Sequence, residues 1–143
     1  MSRQPGSLSA ERRAIAVVRG EEEARGCTVA TLSKVEERRH GCDFLSVSPD
    51  GATDYVEVKG WGESLLRADG SFSSPADINC EQYQRACTEG ARFRLEIVAN
   101  LAAEQAGTGA YERLTLTGHD VKRLAEPWKY RLPLAEFADR VRR

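Results

Sequence analysis

Apolar residues near the start of the chain recur at the three- and four-residue spacing of an amphipathic helix. We predict a helix that begins at Ser9, whose side chain suits an N-cap, and that ends at Gly26. Residues 1–8 would then form a loose tail. The apolar stripe of this helix consists of Ala14, Ile15, Val17 and Val18.

Alternating apolar and polar residues, with many β-branched side chains, predict strands in the rest of the chain. A second helix is predicted from Asn79, where Gln82 completes a capping box, to Gly90. The glycine-rich segment 60–75 is predicted to be a long loop with a short strand near Phe72. The predicted strands are 27–33, 42–48, 54–60, 92–100 and 111–118.

The remaining segments carry weaker patterns. Residues 34–41 are predicted to be a charged connection and residues 102–110 a turn region. Trp128, Tyr130 and Leu132 indicate a short extended segment, and residues 134–143 a short helix. Phe93, Leu95, Ile97 and Ala99 would give the strand 92–100 one buried face.

This order of elements predicts an α/β fold in which helices flank one central mixed sheet. A chain of 143 residues suits a single domain with a sizeable core. No apolar run reaches the length of a membrane span, and the first residues show no secretory signal, so we expect a cytoplasmic protein. The four cysteines have no CxxC spacing and are expected to be reduced, mostly buried thiols.

The segment GCDFLSVSPDGATDYVEVKG, residues 41–60, predicts a hairpin with unusual charges. A three-residue Pro-Asp-Gly loop at 49–51 would pair Ser48 with Ala52 and therefore Asp43 with Glu57. Two carboxylates at facing positions repel each other unless a cation lies between them. The alternative is a surface hairpin with a Glu57–Lys59 ion pair and a solvated Asp43.

A pair of carboxylates with a strand-end carbonyl is a hard oxygen site of the kind that Mg²⁺ or Mn²⁺ prefers. Lys59 lies two residues beyond Glu57, on the same face of the strand, where an ammonium could stabilise a developing oxyanion. This set of groups is the one that metal-dependent cleavage of a phosphodiester needs.

These residues resemble the PD-(D/E)XK nuclease superfamily, and more closely the Protein NO VEIN C-terminal-like domain, a restriction endonuclease-like module. The resemblance covers roughly residues 10–100. It rests on Ala10-Glu11, Gly41-Cys42-Asp43-Phe44-Leu45-Ser46, Val56-Glu57-Val58-Lys59, the acid Glu81 near a helix start, and the strand RFRLEIVAN.

The resemblance implies a Mg²⁺-dependent endonuclease acting on DNA, in defence against foreign DNA or in repair. Asp43, Glu57 and the Val58 carbonyl would bind the metal, and Lys59 would be catalytic. Glu11 would complete the catalytic set, with a plain helix-dipole role as the equal alternative. Glu22, three helical turns further, is expected to be a solvated acid. The competing function is a catalytically inactive DNA-binding or assembly module with the same fold.

The charges do not decide between these functions. The net charge is −1, but only four of the 21 basic residues are lysines, and arginine suits bidentate contacts to phosphate. Genome composition explains an arginine excess equally well. A homodimer, or a partner protein for targeting, is an open alternative to a lone domain.

Overall fold

The computed structural model describes residues 5–124, 131–132 and 134–142. Five helices and seven strands alternate along this part of the chain, with 3-10 segments at Gly90–Arg92 and Leu134–Arg140. The elements are α1 (Pro5–Ala24), β1 (Thr28–Thr31), α2 (Lys34–His40), β2 (Phe44–Val47), β3 (Thr53–Gly60), β4 (Ala76–Asp77), α3 (Cys80–Glu89), β5 (Phe93–Ala99), α4 (Leu101–Gln105), β6 (Glu112–Thr117), α5 (Gly118–Leu124) and β7 (Arg131–Leu132).

A five-stranded mixed sheet forms the centre, in the order β1-β2-β3-β5-β6. β3 and β5 are parallel, and the other neighbours in this sheet are antiparallel. The parallel pair is joined by α3, the crossover helix that such a connection requires. β4 and β7 form a separate two-stranded sheet. The fold is therefore α/β with a mixed sheet flanked by helices, as predicted.

Each face of the large sheet is covered by its own apolar cluster. Val56 and Val58 of β3 point toward α1 and pack with its Ala10, Ala14 and Val18. The opposite face of the sheet packs on α3 and α5 through a second cluster, whose buried residues include Ala86, Leu95, Ile97, Leu116 and Val121. β3 is thus held between two layers, so its polar residues cannot all reach bulk water.

Several boundaries differ from the sequence prediction. α1 begins at Pro5, so Ser9 lies inside the helix and residues 5–8 are not a tail. Residues 34–40 are the helix α2 and not a connection, because Ser33 and Glu36 form a reciprocal capping box. Two short helices, α4 and α5, were also not predicted, and the predicted C-terminal helix is a 3-10 segment. Trp128 and Tyr130 lie outside the described residues.

β5 is buried on both faces, although its pattern predicted one exposed face. Glu96 is only 2% exposed, and it lies on the same face of the strand as Arg94 and Val98. Arg94 and Glu96 lie on the side of the sheet that α1 covers, where each is paired with opposite charges. The alternation in the sequence correctly predicted which residues share each face of β5. It did not predict that the face with the polar residues is buried as well.

None of the four cysteines, all of them described, forms a disulfide, but only Cys42 is buried, so the expectation of mostly buried thiols is wrong. Burial, together with the charges of Glu57 and Asp43, raises the pKa of Cys42 to about 12. This thiol therefore stays protonated at neutral pH. In the described part of the chain, no helix combines the length and apolar character needed to cross a bilayer.

Candidate functional site

The β2–β3 hairpin has the register that its turn predicts. The Ser48 amide donates to the Ala52 carbonyl at 2.9 Å, and Gly51 has the left-handed φ of 88° that the loop requires. Phe44 pairs with Val56, so the next position outward brings Asp43 to Glu57. β2 itself begins at Phe44, and Asp43 is the residue just before it.

Asp43 is held against the backbone of β3 by two hydrogen bonds, one from its amide and one to its carboxylate. Its amide donates to the Val56 carbonyl at 2.9 Å, and its carboxylate Oδ2 accepts from the Val58 amide at 2.8 Å. The N–H and C=O of one strand residue face the same edge of that strand, so the Val58 carbonyl also faces this edge. The Val58 side chain points away, toward α1, and only its backbone belongs to the site.

Glu57 is a buried acid in contact with one cation. It is 4% exposed, and its Oε2 lies 3.2 Å from the Lys59 Nζ. Burial first, and the nearby Asp43 charge second, raise the pKa of Glu57 to about 8 despite the opposing effect of Lys59. A group with this pKa is readily ionised by a bound cation, which supplies the missing positive charge.

Asp43 shows the same tendency. Its pKa is raised mainly by burial, and the charges of Glu37 and Glu11 add to the shift, whereas the Val58 hydrogen bond and Lys59 oppose it. Two neighbouring carboxyls that both resist ionisation mark a place where positive charge is lacking.

A cavity of about 220 Å³ brings these groups together. Its lining comes from α1, α2, the β2–β3 hairpin and the start of α3. The lining residues are Glu11, Lys34, Glu37, Arg38, Cys42, Asp43, Glu57, Lys59, Asn79 and Gln82. Most of them are charged or amide-bearing, so the cavity suits a charged, hydrated ligand.

The structure brings four predicted site residues, Glu11, Asp43, Glu57 and Lys59, to this one cavity. The Glu57–Lys59 ion pair of the alternative interpretation is also present, but Glu57 is buried and Asp43 is half-buried, so neither is a solvated surface acid. Glu81 is exposed in the first turn of α3 and is not among the lining residues.

Glu22 does not join this cavity, and the expectation of a solvated acid is wrong. It is 2% exposed and forms ion pairs with Arg25 and Arg94, while the Ser46 hydroxyl donates to it at 3.2 Å. Burial, the largest single effect, raises its pKa, but the hydrogen bonds and the positive charges of the two arginines together outweigh burial and lower it. Glu11 and Glu22 therefore lie on one helix but in separate electrostatic environments.

Sequence reasoning missed the contribution of α2. Lys34, Glu37 and Arg38 of this helix line the cavity, and Lys34 pairs with Glu37 at 3.2 Å. A signal was present, since Ser33 followed three residues later by Glu36 is a capping-box pattern. Once residues 34–40 are helical, these three side chains share one face at i, i+3 and i+4.

The donor set fits a hard divalent cation only in part. Asp43, Glu57 and the Val58 carbonyl offer oxygen ligands, and Mg²⁺ commonly uses one or two carboxylates with several waters. In residues 5–124, 131–132 and 134–142, however, no group of three or more His, Cys, Asp or Glu side chains is arranged to hold a metal. A cation here would therefore depend on the carboxylate pair, backbone oxygen and water.

A mixed five-stranded sheet with an acid before one strand and a buried Glu-x-Lys in the next is consistent with a restriction endonuclease-like core. The family model described as Protein NO VEIN, C-terminal, matches residues 10–110. The chain belongs to this family. No curated protein and no solved structure matches it.

Proposed function

We propose that the protein is a Mg²⁺-dependent nuclease of the PD-(D/E)XK type that hydrolyses phosphodiester bonds in DNA, with Mn²⁺ as an alternative metal. The observation that carries the proposal is the Asp43–Glu57 pair beside Lys59: burial raises the pKa of both carboxyls, and the Asp43 charge raises the pKa of Glu57 further. A purely structural hairpin would not need two acids whose ionisation is opposed by their surroundings.

In this proposal the residues have separate roles. Asp43, Glu57 and the Val58 carbonyl would hold the metal, which would neutralise phosphate charge and lower the pKa of a bound water. Lys59 donates to the oxygen that gains negative charge as water attacks phosphorus and the P–O bond to the leaving group breaks. Glu11, exposed at the cavity wall on α1, would orient a water or a second cation.

The direct test is plasmid nicking with Mg²⁺ or Mn²⁺ by the wild-type protein and by Glu57→Ala. We expect metal-dependent nicking that falls by at least about 10²-fold in the variant. Glu23→Ala, an exposed acid on α1, is the matched control and should nick like the wild type. Nicking that survives Glu57→Ala would rule out this site.

One observation favours a second candidate, a DNA-binding or assembly module without activity. Among the described residues, no group of three or more His, Cys, Asp or Glu side chains is arranged to hold a metal at the Asp43–Glu57 pair. DNA binding that persists without any cleavage, with Mg²⁺ and with Mn²⁺, would favour this function. A role in foreign-DNA defence or repair, a cytoplasmic location, and a homodimer or targeting partner belong to the proposal on the sequence arguments alone.

A further inference from the structure

A second polar cavity lies at the other end of α1, over β5 and β6. Its volume is about 530 Å³, and four arginines and two glutamates line it, with Thr115 as a further polar group. The charged lining residues are Arg25, Arg94, Arg113, Arg142, Glu21 and Glu96. It shares no lining residue with the Asp43–Glu57 cavity.

The acids of this cavity are already occupied by partners. Both carboxylate oxygens of Glu96 accept from the Thr115 hydroxyl, at 3.1 and 2.8 Å, and each also pairs with an arginine, Arg94 or Arg113. Glu21 pairs with Arg113. Glu22 and Asp54 neutralise Arg94 from behind. The acids of the cavity are therefore already used, and the acids around its arginines balance much of their positive charge. What the cavity lacks is further hydrogen-bond acceptors.

Donors remain in excess. Arg113 is 7% exposed, and within the part of the chain that the structure describes its Nε is buried without a hydrogen-bond partner. A buried N–H without an acceptor costs free energy, which an oxyanion near the guanidinium can recover. Such a donor is unusual in a folded protein, and an ordered water or a bound anion at the cavity would supply the acceptor.

Two arginines, Arg25 and Arg142, form what we call the rim of this cavity, and each is held by a hydrogen bond or an ion pair. Arg25 is 60% exposed at its side chain and uses Nη2 for Glu22, at 2.6 Å. Arg142 donates from Nη2 to the Thr115 hydroxyl at 3.0 Å, and its backbone forms two hydrogen bonds of 3.0 Å with Arg113. No hydrogen bond joins their other guanidinium nitrogens to a described residue, and both residues are exposed.

We propose that this cavity binds a phosphate group, at a site separate from the Asp43–Glu57 cavity. Phosphate offers several acceptor oxygens to planar guanidinium forks, which suits arginines on different walls of the cavity. The volume also admits a nucleotide-sized ligand. The same chemistry is shared by a free phosphate or nucleotide and by a nucleic-acid backbone, and the inference does not depend on the proposed nuclease function.

The test is calorimetric titration of the full chain, in EDTA, with inorganic phosphate and with deoxyadenosine monophosphate. We expect saturable binding that Arg25→Gln and Arg142→Gln each weaken by about 5- to 10-fold, the effect of one charge-assisted hydrogen bond. Arg12→Gln, which removes an exposed arginine elsewhere on α1, is the matched control and should change little. Glu57→Gln should also leave this binding unchanged, which separates the site from the proposed nuclease site.

The source of the phosphate is decided by competition in the wild-type protein. A short DNA duplex that displaces inorganic phosphate, and that loses affinity in Arg25→Gln, identifies the nucleic-acid backbone. Displacement by the mononucleotide but not by the duplex identifies a free phosphate ligand. Absence of saturable phosphate binding, equal binding by the rim variants and Arg12→Gln, or acetate binding as tightly as phosphate would each overturn the proposal.

Discussion

At the residue scale, the two acids of the hairpin are defined by what surrounds them. Asp43 and Lys59 face Glu57 within the hairpin, Cys42 lies beside them, and Glu11 and Glu37 add negative charge from α1 and α2. Lys59 is the only cation within ion-pair distance of Glu57 among the described residues. The pair is therefore costly in its ionised form unless further positive charge arrives.

The first prediction concerns pH and stability in EDTA. The folded pKa of Glu57 is about 8, above its ordinary value of 4.5, so the native state holds this proton over a pH range where the unfolded chain has lost it. Stability should fall as pH rises from about 5 to about 8 and then level off. Glu57→Gln should remove this slope and be more stable than wild type at pH 9, by on the order of 1–3 kcal/mol.

Urea denaturation at several pH values measures this difference. Glu23→Gln, at an exposed position of α1, serves as control and should keep the wild-type slope. If Mg²⁺ binds between Asp43 and Glu57, millimolar Mg²⁺ should stabilise the wild type at pH 9 and not Glu57→Gln. A wild-type slope that persists in Glu57→Gln would show that Glu57 is not the group responsible.

The second prediction separates the role of Lys59 from metal binding. Lys59→Met keeps the aliphatic stem and removes the ammonium, so under the proposed function it should lower the cleavage rate by about 10²- to 10³-fold. It should not weaken Mn²⁺ binding, because the substitution removes an ammonium whose positive charge repels the metal. Single-turnover cleavage and a Mn²⁺ titration measure the two effects. Loss of Mn²⁺ binding together with cleavage would mean that Lys59 only positions Glu57.

At the element scale, local signals predicted the hairpin well and α2 poorly. The β2–β3 register is the one that the Pro-Asp-Gly turn predicts from local sequence alone. α2 has no buried residue, so KVEERRH shows no apolar stripe, and its helical state depends on the caps at Ser33 and Gly41. Periodicity cannot detect a helix that buries nothing, whereas capping chemistry can.

The same limit explains the errors in the polar positions. Arg94 and Glu96 alternate with apolar residues and so looked like a solvent face, and Glu22 looked like one acid in a charged run. Glu22 and Glu96 are buried and Arg94 is half-buried, and their partners lie elsewhere in the chain; Arg94, for example, pairs with Glu22, 72 residues away. Long-range charge pairing is not encoded in local periodicity, so only the assembled sheet and α1 show it.

The third prediction tests the end of α2, which positions Lys34, Glu37 and Arg38. Gly41 has a φ of 66°, and a Cβ there would lie 2.4 Å from the carbonyl oxygen of Glu81. Gly41→Ala should therefore cost at least about 3 kcal/mol, because the left-handed conformation and a backbone clash both oppose it. Gly51→Ala has a similar φ but open space, and it should cost only about 1 kcal/mol.

Thermal or urea unfolding of the two variants gives the comparison. Both variants share the cost of a left-handed alanine. The difference between their free energies of unfolding therefore measures the clash of a Cβ at position 41 with α3. Equal losses of stability would mean that α3 can move away from Gly41, and that α2 is not fixed against the cavity.

At the scale of the whole molecule, one side of the sheet is held to α1 by two different means. Apolar packing through Ala10, Ala14 and Val18 joins most of the helix to Val56 and Val58, and ion pairs join its last turn to the sheet. Glu21 and Glu22 reach Arg113 and Arg94, which converge on Glu96 in β5. The last turn of α1 is thus oriented by charges, whereas the turns near Glu11 are held by packing and by the Arg13–Glu104 ion pair.

The last prediction follows from the burial of that network. Glu96→Gln keeps the shape but leaves Arg94 and Arg113 with one negative charge fewer among side chains that are largely buried, so it should lower the free energy of unfolding by about 3 kcal/mol. Glu104→Gln breaks the Arg13–Glu104 pair, whose side chains are 30% and 36% exposed, and should cost less than about 1 kcal/mol.

Urea denaturation in low and high salt measures both: salt should reduce the Glu104 effect and leave most of the Glu96 effect, because buried pairs are screened less. Equal, salt-sensitive losses in the two variants would mean that solvent screens the Glu96 network as it screens a surface pair, and that α1 is held to the sheet by its apolar contacts alone.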